Sequence, residues 1–124
     1  MSVETSRVEH LGRDLGQAIA KLDEYEAYER AREAVQDDDE TQEKIDEFET
    51  LRHEFMLARQ SGQATQDDII ELQRTQRELH QLPVMERYLD AQAELDGRLA
   101  AVNDAISAEL SLDFSDQAGS CCHD

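Results

Sequence analysis

From Met85 onward the apolar residues advance in alternating steps of three and four, through Tyr88, Gln92, Leu95, Leu99, Val102, Ile106 and Leu110. That spacing keeps one stripe on one side of an α-helix and approximates a heptad seam. Pro83, the only proline in the chain, stands where a first helical residue needs no N–H partner. A helix from 83 to about 110 would be about 42 Å long at 1.5 Å per residue, whereas a folded chain of this length has a radius of gyration near 14 Å, a rough scaling estimate. Such a helix overhangs a lone globule and leaves Leu99, Val102 and Ile106 facing water. The pattern therefore predicts a homo-oligomer, a dimer in its simplest form. Its interface would run through Tyr88, Leu95, Leu99, Val102 and Ile106, with part of the third helix.

The rest of the chain reads as helix as well. Glycine numbers only five, and Ala, Leu, Glu, Gln and Arg fill the interior. Val8, Leu11, Leu15, Ala18, Ile19 and Leu22 make a stripe for a first helix over about 4–21. A second begins at Asp23, which can cap it, and carries Tyr25, Tyr28, Ala31 and Val35 on one side. The acidic run Asp37–Glu40 breaks that stripe. A third helix starts near Asp39, capped by Asp39 or Thr41, and carries Ile45, Phe48, Leu51, Phe55 and Ala58 to a stop at Ser61-Gly62. Thr65 followed by Asp67 and Asp68 opens a fourth, ending near His80 before Leu82-Pro83. The expectation is an all-α fold of about five helices in an antiparallel bundle or hairpin. It comprises one helical domain over 1–111 and a tail over 112–124 that is expected to be mobile, with Leu112 and Phe114 folding back.

Charge narrows the function. Thirty acidic residues against 12 basic give a formal charge of -18, the opposite of what phosphate contacts or an anionic membrane demand. Direct nucleic-acid binding and membrane docking are not expected. Ten of the 12 basic residues are Arg, and this balance resembles the acidic surfaces of proteins from salt-adapted microbes. Leu, Ile, Val and Phe supply 21% of the chain, just above the roughly 20% below which charged chains stay unfolded. The N-terminus shows neither a basic n-region nor an apolar run, so the chain is expected to be soluble and cytoplasmic.

No catalytic constellation emerges. A di-iron bundle needs Glu-x-x-His on two helices, but Arg7, Thr50 and Arg77 precede His10, His53 and His80 by three. Glu49 and His53 lie one turn apart, as chance allows in any Glu-rich helix. Tyr25, Tyr28 and Phe55 are candidates for a partner groove, although helical spacing more often means core. The tail ends in Cys121-Cys122-His123, soft ligands for zinc or an iron–sulfur cluster. Adjacent residues of an extended chain point opposite ways, so a metal site would be shared between chains. A redox thiol pair and a tail without chemistry remain open beside it.

Several pieces in order resemble one family. Leu11-Gly12 and Leu15-Gly16 precede Ala18-Ile19; Tyr25, Tyr28, Ala31 and Ala34 follow at threes. Leu82-Pro83-Val84-Met85 leads to Tyr88-Leu89 and Ala91, and Leu112-Asp113-Phe114 stands before the cysteines. Over about 7–122 the chain resembles the YlbF/YmcA family of small helical regulators, with Leu82 where Asn is usual and one Gly119 where the tail is often glycine-rich. The charge points to a haloarchaeal member. The resemblance implies an all-α, dimerising, non-catalytic regulator. Its bacterial relatives join paralogous helical proteins and modulate an endoribonuclease, and so RNA processing and development. It also implies Cys121 and Cys122 as the only counterparts of the family's iron–sulfur cysteines.

Overall fold

In a computed structural model that describes residues 2–119, the chain is helical throughout, with no strand among the described residues. Six helices follow one another: α1 Val3–Ala20, α2 Asp23–Asp37, α3 Asp39–Gln60, α4 Gln66–His80, α5 Pro83–Ser107 and α6 Phe114–Gly119.

Most starts have a local cause, although Asp23, expected to cap α2, is instead its first helical residue. Ser2 caps α1 by accepting the Thr5 N–H at 3.1 Å. Asp38, rather than the expected Asp39 or Thr41, caps α3. Its Oδ2 accepts the Thr41 N–H at 3.0 Å and the Thr41 hydroxyl at 2.5 Å, which makes Asp39 the first helical residue. Thr65 and Asp68 form a reciprocal capping box at the head of α4. Between α3 and α4, Gly62 takes a φ of 75° that a side chain would resist, so the chain reverses there. Pro83 opens α5.

α5 stops at Ser107, three residues before the expected end. Ser107 Oγ accepts the Phe114 N–H at 2.9 Å, and residues 108–110 close tight turns onto Asp104, Ile106 and Ser107. Within the segment expected as a mobile tail, α6 forms under an Asp113 cap. Asp113 Oδ1 accepts the Asp116 N–H at 3.1 Å and the Ser115 hydroxyl at 2.9 Å. Asn103 on α5 ties the cap down, donating to Asp113 Oδ2 at 3.3 Å and accepting the Ser115 N–H at 2.9 Å.

The chain divides into two units. One comprises residues Ala27–Asp90; the other joins the residues up to Glu26 with those from Ala91 onward. The Ala27–Asp90 unit has its own core of Val35, Leu79 and Met85, with Ile45, Phe48, Leu82, Val84, Tyr88 and Leu89 packed around it. In it α3 and α4 pack together and run antiparallel, since Lys44 near the start of α3 meets Glu78 near the end of α4 at 2.8 Å. Thr41 and Thr75 are fully buried without stranding a hydroxyl: Thr41 bonds Asp38, and Thr75 donates to the Glu71 carbonyl at 3.0 Å.

The other unit is built differently. α1 buries none of its residues, and Leu95 is the one large apolar residue there below a tenth exposed among the described residues.

Candidate interaction surfaces

Exposed large apolar side chains are unevenly distributed. Val3, Val8, Leu11, Leu15, Leu99, Leu110, Leu112 and Phe114 all belong to the unit that carries α1, whereas the Ala27–Asp90 unit exposes Met56, Leu57 and Ile70. On α1 the stripe read from the sequence forms as expected, yet Val8 is 67% and Leu11 54% exposed. A helix takes most of its stability in water from packing an amphipathic face, and on this one only the C-terminal end, at Ile19, is half-buried among the described residues. Gly12 and Gly16 on the same helix have open space where a Cβ would stand.

The five α5 residues expected at an interface fall into two groups. Tyr88 packs against the Ala27–Asp90 core, its ring centroid 5.6 Å from that of Tyr28 and the two hydroxyls 3.4 Å apart. Leu95 is buried. Leu95 therefore offers little surface to another molecule, whereas Tyr88 is half-buried. Leu99 is exposed, and Val102 and Ile106 are half-buried, so the surface left for a partner lies toward the C-terminal end of α5. Arg98 on the same helix donates to Glu24 at 2.9 Å. Cys121 and Cys122 lie outside the described residues.

A second surface lies on the flank of the α3–α4 hairpin. Leu51, Phe55 and Ala58 of α3 floor a groove of about 190 Å³, and Glu54, Asp68 and Glu71 line it with them. Of the three aromatics named as groove candidates, Phe55 is the one found here. Tyr28 is engaged with Tyr88, and Tyr25 is half-buried. Charge of the flanking carboxylates had no periodic signature, and their convergence follows only from the hairpin's register.

The titrating groups that depart from ordinary behaviour serve the fold. The Thr41 hydroxyl and N–H hold the Asp38 carboxyl below its usual range, and the Asp116 N–H with the Ser115 and Asn103 side chains does the same at Asp113. Lys44 lowers Glu78 and is itself raised by Glu78 and Glu47. Each of these shifts is accounted for by a cap or an ion pair. Among the described residues no group of three or more His, Cys, Asp or Glu is placed to hold a metal ion, and no helix is long and apolar enough to cross a membrane.

The fold is that of a small all-helical protein, with one unit that has its own core and one in which several large apolar side chains are exposed. The family described as control of competence regulator ComK, YlbF/YmcA, matches residues 8–111, and the chain belongs to it. That family is one of regulators acting through protein interactions. No curated protein and no solved structure matches the chain significantly.

Proposed function

We propose that the chain is a non-catalytic regulator that works by assembly, first with a second copy of itself and then with paralogous helical proteins or a nuclease, in the cytoplasm. Its role would be the control of RNA processing or development that the family resemblance implies. The observation that carries this reading is the exposure of Val3, Val8, Leu11 and Leu15 on α1 and of Leu99 on α5, beside a unit that builds its own core. Exposed apolar side chains clustered in this way mark an association site. Leu99, Val102 and Ile106 form the α5 part of that surface, and Val8, Leu11 and Leu15 the α1 part.

Affinity capture from a native high-salt lysate tests it, with wild type beside Leu99→Asp. The reading expects a paralogous helical protein or a nuclease with the wild type and its loss with the variant. Identical captures from both would refute it.

A further inference from the structure

We propose that the α3–α4 groove seats an apolar side chain from a basic segment of a different protein. The proposal deepens the assembly reading above, because it assigns a second docking surface outside the self-association face. Leu51, Phe55 and Ala58 give the groove an apolar floor, while Glu54, Asp68 and Glu71 surround it with carboxylates.

Three observations choose the occupant. At about 190 Å³ the groove falls below the roughly 300–1,000 Å³ of small-molecule sites, so it suits a single side chain better than a metabolite. None of the three carboxylates belongs to any of the described ion pairs, and only Asp68 has another task, accepting the Thr65 N–H at 3.0 Å. An apolar partner would strand these charges as it covered them, whereas flanking Arg or Lys would pair with them. A basic partner is favoured further because this chain carries a formal charge of -18, which draws a cationic segment toward it.

The probe is a fluorescein-labelled amphipathic peptide with two leucines one helical turn apart, flanked by arginines, titrated with the full chain and read by anisotropy. Glu54→Lys with Glu71→Lys reverses the rim at exposed positions. Glu33→Lys with Glu43→Lys makes the same change of net charge at exposed positions elsewhere. The rim variant is expected to bind at least about tenfold more weakly, equivalent to ~1.4 kcal/mol. The control pair is expected to bind like wild type, and a leucine-to-serine peptide not at all. Equal weakening by both pairs, equal binding of the serine peptide, or no binding by the wild type would each overturn the proposal. Sedimentation of the rim variant separates it from the self-association reading: an unchanged oligomer alongside lost peptide binding is the expected result.

Discussion

Replacing Leu11 by Ala puts a number on the uncovered face. Ala is the best helix former, so the change leaves α1 intact and removes only apolar surface. Complete burial of a leucine is worth about 1.5–3 kcal/mol, and Leu11 still has 54% of its surface exposed. Covering that remainder, less the methyl that alanine keeps, contributes roughly 1 kcal/mol per copy. In a two-fold dimer both copies lose it, so the dissociation constant should rise roughly 30-fold, for about 2 kcal/mol at 1.4 kcal/mol per decade. Dilution series in the analytical ultracentrifuge, with far-UV circular dichroism at each concentration, measure both quantities. A dissociation constant unchanged within about twofold, with helicity retained, would show that no molecule covers α1 and that the reasoning is wrong.

Other consequences concern the fold. Leu79→Ala, in the Ala27–Asp90 core, should lower unfolding free energy by about 2–5 kcal/mol in urea melts, independently of protein concentration if that unit stands on its own core. Thr65→Ala should cost about 1 kcal/mol by removing the capping box of α4, seen as a lower midpoint in the same melts. Asp38, Glu78 and Asp113 titrate below their ordinary values of 3.8, 4.5 and 3.8, so their charged forms stabilise the fold at neutral pH. That contribution is lost as pH falls from the ordinary values through the lowered folded ones, and Asp38→Asn should flatten acid unfolding curves there. Lys44, raised above 10.5, works the other way and loses its contribution only as pH rises through its folded value. Salt should stabilise a chain of charge -18, since raising it from 0.1 to 1 M shortens the screening length from about 10 to 3 Å. The melting temperature should climb accordingly.

The helices were legible because their causes are local. Stripes at threes and fours, the Thr65 box, the Ser61-Gly62 stop and Pro83 all act within a turn of where they sit, and the structure has α1 to α5 where those signals stand. The differences also have local causes. In the run of four acids at 37–40 any residue can cap, and which one does depends on where Thr41 directs its hydroxyl. α6 escaped notice because its cap, Asp113, draws support from Asn103, ten residues away. The signal for it was the Asp113-x-Ser115-Asp116 pattern, a polar cluster read as tail. The groove at Phe55 was only half legible: periodicity places Leu51, Phe55 and Ala58 on one side of α3, but the approach of Glu71 and Asp68 requires the register of the hairpin. That Met85 and Leu95 are buried while Leu99 is exposed was beyond periodicity, because one unbroken stripe runs through all three.

Sedimentation equilibrium of the full chain in molar salt tests the central claim, that a second copy covers the apolar face of α1 and the C-terminal end of α5. The account predicts a mass of at least twice 14.1 kDa, returning to that of one chain when Leu99→Asp and Ile106→Asp are combined. A mass of 14.1 kDa for the wild type at every concentration would contradict it.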